Sequence, residues 1–384
     1  MGHKIIFCVG LYRSASTWVF NVCRAICERK GTPFTSLYAD YPMCELLEKA
    51  VAANVCIVKS HRPDVGFNLI FAAYEPPLIV SVRDPRDCVA SLMTQFRMTF
   101  ENALDWVEKS AAAMAAMPLP SRSLILKYES PDWRDAGGVM QMARLLDAGI
   151  SSSDAKAIAE KFSPRAVDDF LKQLEETGYF DSEAPAANQH HADTHFHPHH
   201  VGDGEIGKFS AVLTKDQERL TLAATRDFRQ RFGYDIRTPP IEFGETLDFG
   251  QGGRAYLSSG FGVPEDWGVW TVDRECEIDI ALPRPIARAT LFVECFYGPA
   301  FRHGAPGRVA RLFVNDALAL EIERNSDRPP SDVLTLHCDI GGADRIRVAI
   351  AFDQILTAKE AGWNIADNRP IGLGLRNLRV ETRD

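Results

Sequence analysis

The chain has no run approaching the roughly 20 consecutive apolar residues of a membrane-spanning helix. Residues 1–11 lack the long apolar core and cleavage site of a secretory signal, and position 6 is Ile6 rather than the Ser or Thr that N-myristoylation of Gly2 requires. Paired cysteine spacing is missing as well. Nine cysteines are scattered with no C-x-x-C, the pattern of buried, reduced thiols and not of a disulfide framework or zinc ribbon. Nor is there an excess of positive charge. The net charge of −9 argues against broad affinity for nucleic acid or anionic membrane, while leaving room for a local basic pocket. Together these absences predict a soluble, cytoplasmic protein with no transmembrane segment and no nucleic-acid partner.

What is present reads as two domains, the natural prior for 384 residues. Residues 1–238 alternate short apolar runs with helical periodicity. Ile5–Val9, Val55–Val58, Leu78–Val82 and Ser123–Lys127 read as strands, and Thr17–Lys30, Pro85–Arg97, Glu101–Met117 and Gly137–Leu146 as helices. Further helices are expected at Asp154–Phe162, Ser163–Thr177 and Lys215–Phe232. Strands alternating with helices give an α/β fold with a parallel sheet covered on both faces. After the linker at 236–245 the texture changes to short β-like runs punctuated by Gly, Pro and Asn. The pairs Cys276–Ala281 and Ala289–Phe296, and Val333–Cys338 and Ile346–Phe352, are examples. Residues 239–384 are therefore expected to form an all-β sandwich or jelly-roll domain.

The first strand runs into its helix through "GLYRSASTWVF". A small-residue turn at that place exposes unpaired backbone N–H groups beside a helix dipole, and so suits an anion. Ser14, Ser16 and Thr17 add hydroxyls, and Arg13 adds a planar cation fitted to phosphate or sulfate oxygens. An ordinary βα turn with hydroxyl caps is the plainer alternative. A standard nucleotide-kinase loop fits poorly, because no lysine precedes Ser16-Thr17. Two other strand ends carry polar side chains. In "VCIVKSHRP", Lys59 and His61 emerge where open α/β sheets bind ligands. In "LIVSVRDPRDCVAS", Arg83 and Ser91 are eight residues apart across a helix start.

"YRSASTW" resembles the 5′-phosphosulfate loop of the sulfotransferases that use 3′-phosphoadenosine 5′-phosphosulfate (PAPS), with Ala15 where glycine is usual. The Lys59–His61 and Arg83–Ser91 segments follow in the same order and at similar separations as that family's other elements. The resemblance implies a P-loop-like phosphosulfate-binding turn spanning Arg13, Ser14, Ala15, Ser16, Thr17 and Trp18. It implies His61 as general base, Lys59 on the transferring group, and Arg83 with Ser91 on the 3′-phosphate. "LILKYES" places Tyr128 like the family tyrosine that contacts adenine, and "GEIGKF" (Gly204, Gly207, Lys208, Phe209) looks like the family's late glycine loop. The basic pair that usually precedes that loop is replaced by Gly202-Asp203, so Lys208 or nearby histidines are left to compensate. The expected activity is PAPS-dependent sulfuryl transfer without a metal. Arg13 would neutralise the bridging oxygen of the leaving nucleotide, and His61 would work near its ordinary pKa of ~6.5. An unusual P-loop kinase and a catalytically degenerate binding module are the rivals.

Six of the ten histidines fall within 190–200, in a polar stretch that reads as a loop or lid over cofactor or acceptor rather than a zinc site. His197-Pro198-x-His200 also resembles a segment of some bacterial sulfotransferases. Near "YLSSGFGVPEDWGVWT", Phe261, Trp267 and Trp270 either pack the β domain or stack on sugar rings. That stretch and "DNRPIGLGLRNLRV" loosely resemble an accessory β domain of bacterial glycan-modifying enzymes, which favours a saccharide or surface polymer as the acceptor.

Overall fold

The computed structural model describes residues 4–41, 48, 53, 55–131, 133–181, 189–198, 201–202, 204–235, 237–362 and 368–383. They form two compact units: Met1–Leu213 with Ala224–Ile236, and Thr214–Ala223 with Arg237–Asp384. Where a division after residue 238 was expected, the second unit begins at Arg237 and also takes in Thr214–Ala223. Its Arg219, almost fully buried, donates to both carboxylate oxygens of Glu245.

The first unit is a five-stranded parallel sheet in the order β2-β3-β1-β4-β5. Its elements are β1 (Lys4–Gly10), α1 (Ser16–Arg29), β2 (Phe34–Tyr38), β3 (Val55–Ser60), α2 (Val65–Tyr74), β4 (Leu78–Val82), α3 (Pro85–Gln95), α4 (Phe100–Ala116) and β5 (Ser123–Lys127). Helices α5 (Ala136–Leu145), α6 (Ser152–Lys161), α7 (Pro164–Glu176) and the single-turn α8 (Phe209–Val212) follow. The helix expected over 215–232 is broken into α9 (Lys215–Ala224) and α10 (Arg226–Arg231). Strands β3 and β4 are buried at every position, which is why they read as continuous apolar runs. The direction in which the connections run across the sheet switches between the parallel neighbours β1 and β4: β2 and β3 lie on one side and β5 on the other. At such a switch point, the loops leaving the carboxyl ends of the two strands bound a crevice. The loops in question are Leu11–Ala15 and Arg83–Asp84.

Two elements are additional to those expected. Strand β2 is mostly half-buried at the sheet edge. The other is α2, in the segment that follows His61. It is started by Asp64, whose carboxylate accepts from the Phe67 N–H, and pinned by Phe67 and Phe71 packed edge-on against Phe7. "VGFNLIFAAY" carries no charge, so its helical face has no polar complement to reveal it.

The second unit is antiparallel. Strands β6 (Thr246–Asp248), β7 (Leu257–Ser259), β8 (Val269–Trp270), β9 (Glu275–Tyr297), β10 (Arg308–Val314), β11 (Ala317–Glu323), β12 (Ser331–Phe352) and β15 (Leu373–Thr382) make one eight-stranded sheet. The short β13 (Leu356–Thr357) and β14 (Pro370–Ile371) pair apart from it. Four expected strands are in fact two long ones, β9 and β12, which run alongside each other from Glu275↔Ala351 to Phe296↔Ser331. Their register shifts in the middle, where Pro283 and Pro285 lack N–H donors and Gly341 and Gly342 take positive φ. Residues from both halves, including Ile278, Ile280, Leu291, Val293, Ile346 and Leu378, share one buried core. Asn315 and Asp316, both at positive φ, close the β10–β11 hairpin. Trp267 and Trp270 meet edge-to-face at 5.2 Å over Gly374, where a Cβ would come within 2.9 Å of both indoles.

Candidate functional site

The turn after β1 is unusual in its backbone. Arg13 and Ala15 both lie in the left-handed region, at φ 65° and 64°, with Ser14 between them. Glycine takes that region without cost, and alanine does so at about 1 kcal/mol. Gly10 at the end of β1 is required by space: an added Cβ would sit 2.2 Å from Ser81 Oγ and 2.6 Å from Ser16 Cβ. Ser14 turns inward, its Oγ 2.6 Å from the Leu11 carbonyl and 2.9 Å from that of Ser81, and it braces the turn without facing the crevice. No side chain caps the first turn of α1. Each of the next six helices, α2 to α7, is capped by an Asp, Ser or Thr. The α1 N-terminus alone of these keeps its amides for something else.

A cavity of about 890 Å³ opens at these strand ends, lined by Arg13, Ala15, Ser16, Thr17, Trp18, Lys59, His61, Arg83, Ser91, Tyr128 and Gly204 among others. Eleven of the fifteen residues expected at the site therefore share one cavity. The other four do not line it. Ser14 is the brace just described. Gly207, Lys208 and Phe209 pack instead on the start of α3. There the buried Asp87 carboxylate accepts from the Gly207 N–H (2.8 Å) and the Phe209 N–H (3.1 Å), and Arg86 lies 3.9 Å over the Phe209 ring. Gly207, at φ 81°, supplies the turn that makes this possible.

The cations are linked to one another through short contacts. Arg13 Nε donates to Ser91 Oγ at 3.0 Å, and Arg83 donates to the Arg13 carbonyl (3.3 Å) and the Glu205 carbonyl (2.7 Å). Arg83 Nε is buried and has no hydrogen-bond partner among the described residues. Lys59, 3% exposed, donates to Thr17 Oγ1 at 2.8 Å. Burial pushes its ammonium down to about 7; Cys8 opposes this, Arg13 adds to it and Asp40 opposes it. Among the described residues, no Asp or Glu lines the cavity.

His61 departs from its expected titration. Burial, with Lys59 beside it, holds the imidazole down to about 3, far from the ordinary ~6.5. Its Nδ1 lies 2.6 Å from the Gly10 carbonyl oxygen. A carbonyl only accepts, so Nδ1 carries the proton and Nε2 the lone pair. The ring stacks on Tyr12 at 4.2 Å, and Tyr12 meets Trp106 at 5.1 Å.

Several lining residues went unread in the sequence. Tyr38, Phe96, Trp106 and Arg134 stand outside any motif and reach the cavity through packing, and Tyr12, inside the first loop, carried no assigned role. Arg134 and Arg83 both lie over the Tyr128 ring, at 4.4 and 4.1 Å. Of the histidine stretch, His190, His195 and His197 line the cavity, while His199 and His200 fall outside the described residues. Asn21 of α1 ties this stretch down by donating to the Thr194 carbonyl at 2.8 Å. Burial lowers His195 to about 3, so that it too is neutral near pH 7. Among the described residues, no group of three or more His, Cys, Asp or Glu is arranged to hold a metal, and no helix is long and apolar enough to cross a membrane.

No family model matches the chain, and no curated protein matches it by sequence. Among solved structures it is similar to the mouse sulfotransferase SULT7A1 complexed with PAP, at 13% identity and a TM-score of 0.42 over 60% of this chain and 88% of that one. It is also similar to retinol dehydratase in complex with androsterone and the inactive cofactor PAP, at 15% identity and a TM-score of 0.39 over 62% and 84%. The β-1,3-glucan binding CBM6 from Bacillus halodurans matches 38% of this chain with the whole of its own length, at 9% identity and a TM-score of 0.24. Likenesses this remote assign no function.

Proposed function

We propose that the first unit is a sulfotransferase that moves the sulfuryl group of PAPS to an acceptor hydroxyl or amine. The observation that carries this is the convergence of Arg13, Lys59, Arg83 and His61 on one cavity, which no Asp or Glu among the described residues lines. Such a site repels cations and favours a polyanion. The unpartnered Arg83 Nε and the uncapped first turn of α1 are donors waiting for acceptor oxygens. In this reading the α1 turn, with Ser16 and Thr17, cradles the 5′-phosphosulfate. Arg83 and Ser91, joined by Arg134, take the 3′-phosphate, and Tyr128 with Trp18 borders the adenine.

For the transfer, His61 Nε2 accepts the acceptor's proton as the acceptor oxygen or nitrogen bonds to sulfur and the bond from sulfur to the bridging phosphate oxygen breaks. The electron pair of that bond leaves on the 5′-phosphate of 3′-phosphoadenosine 5′-phosphate (PAP). Lys59 and Arg13 stabilise the charge that develops there. A neutral imidazole with its lone pair facing the cavity is the form a base needs, and a bound polyanion raises its basicity by offsetting Lys59. For the acceptor we favour a saccharide or surface polymer, the partly exposed indoles of Trp267 and Trp270 in the second unit offering a surface to sugar rings.

Calorimetric titration with PAP, 5′-AMP and ATP–Mg²⁺ tests the donor. PAP should bind at least about tenfold more tightly than 5′-AMP, the share of a charge-assisted phosphate contact. A preference for ATP–Mg²⁺ would point to the kinase. With labelled PAPS and a panel of glycans, phenols and lipids, His61→Ala should abolish transfer yet keep PAP affinity. Transfer at the wild-type rate would remove His61 as the base.

A further inference from the structure

Asp40, two residues beyond the Tyr38 end of β2, belongs to no motif and does not line the cavity. It is nevertheless bonded to most of what surrounds His61. Its Oδ1 accepts from the backbone N–H of His61 (2.9 Å), the backbone N–H of Arg62 (2.9 Å) and the Ser60 hydroxyl (2.8 Å). Its Oδ2 accepts from the Tyr38 phenol at 2.8 Å and lies 3.5 Å from Arg62 Nε. The Tyr38 ring in turn lies beside the imidazole, with centroids 5.9 Å apart and planes at 46°. Tyr12 stacks on the same imidazole at 4.2 Å.

Asp40 thus reaches the imidazole by two routes. One is through the main chain that carries it, and the other is through the Tyr38 ring beside it. We infer that Asp40 is a positioning residue: it fixes the turn Ser60–Arg62 and the Tyr38 ring so that His61 Nδ1 stays on the Gly10 carbonyl and Nε2 faces the cavity. The inference rests on the reading of His61 as the base, but its physical content, a single locked tautomer, is measurable without any acceptor. A carboxylate is required because five donors converge on it. An amide can accept from the three at Oδ1, but its NH₂ group opposes both the phenol and Arg62.

The test is ¹⁵N NMR of histidine-labelled full-length protein, with the His61 ring signals assigned by their loss in His61→Gln. The wild type should show His61 as one tautomer, protonated at Nδ1. In Asp40→Asn the ring should populate both tautomers, with PAP affinity by calorimetry within about twofold of wild type, because Asp40 touches none of the residues assigned to the nucleotide. A substitution that merely loosened the fold would lower the melting temperature and leave the tautomer alone. A single unchanged tautomer in Asp40→Asn overturns the inference. If that variant does not fold, Tyr38→Phe cuts only the phenol route, and mixed tautomers there support the inference while an unchanged ring overturns it. Failure of the wild type to bind PAP would sink the sulfotransferase proposal and leave the tautomer result standing.

Discussion

The two units treat charge in opposite ways. In the β unit, arginines meet carboxylates near the surface: Arg311 with Asp353, Arg345 with Asp279, Arg376 with Glu294. Pairs so exposed contribute little. In the α/β unit, Lys59, His61 and Arg83 are buried together at the strand ends, with Ser16, Thr17 and Ser91 around them. Lys59 has no carboxylate within ion-pair reach among the described residues, and the Arg83–Asp87 separation is a loose 3.8 Å. Burying charge in this way costs stability. A fold keeps such an arrangement where a ligand completes it. In the proposed reading an anion offsets the buried cations of the α/β unit, while the surface pairs of the β unit call for none.

The sharpest way to break that contrast is to remove an arginine from each unit. Arg83→Ala should lower PAP affinity by about 100-fold, the order expected for a buried charge-assisted contact, and weaken 5′-AMP far less. Arg345→Ala in the β unit should leave PAP binding untouched and move the melting temperature little. Equal losses for PAP and 5′-AMP would place Arg83 away from the 3′-phosphate.

Lys59 sharpens the comparison through pH. Its pKa in the empty site is about 7, below the ~10.5 of an unfolded lysine. Between those values the unfolded chain holds the extra proton, so stability rises with pH across roughly 7 to 10.5, and the burial penalty is fullest below about pH 7. Lys59→Met should therefore stabilise the ligand-free protein, and by more at pH 6 than at pH 9, while weakening PAP binding at both. In the wild type, PAP affinity should fall above about pH 7 by at most about tenfold per unit, since binding then takes up a proton. Calorimetry in two buffers of different ionisation enthalpy measures that uptake, and a pH-independent affinity would contradict it.

How much of this was legible in the sequence follows from where the information lies. Strands β1, β3 and β4 were readable because covered parallel strands are apolar runs of strand length, and the edge strand β5 because Leu124–Leu126 is apolar although mostly not buried. Ligand groups leave such strands at their carboxyl ends, so Arg13, Lys59, His61 and Arg83 could be placed near one another before any coordinates. Strand β2 was not readable, because "FTSLY" is a half-buried edge, and α2 has no polar face to give a helical period. Asp40 sits just after that unread strand, and Arg134 just after Trp133, whose indole donates to the Tyr128 carbonyl and folds the turn back over the ring. Both reach the site through tertiary contacts that no local pattern encodes. The single long strands β9 and β12 were split by their prolines and glycines, which mark a bend where the sequence suggested a break.

Arg134 offers a smaller test. If it joins Arg83 on the 3′-phosphate, Arg134→Gln should weaken PAP by about 3–10-fold, less than Arg83→Ala because it is only half-buried. 5′-AMP binding should not change. A loss common to both nucleotides would assign Arg134 to the adenine side of Tyr128 instead.

The smallest expected effect concerns Ala15. At φ 64° its Cβ costs about 1 kcal/mol that glycine would not, yet glycine adds freedom to the unfolded chain that folding must remove. The two nearly offset, so Ala15→Gly should change the melting temperature of the free protein by only a degree or two. The more telling quantity is PAP affinity. Ala15 is the residue before the uncapped turn of α1, and its conformation aims those amides. If the left-handed geometry is already set by Gly10, Ser14 and the packing of the turn, glycine leaves the affinity unchanged. A fall of severalfold would mean that the alanine side chain itself keeps the empty loop in its anion-ready shape, because the more permissive residue would let it relax before the nucleotide arrives.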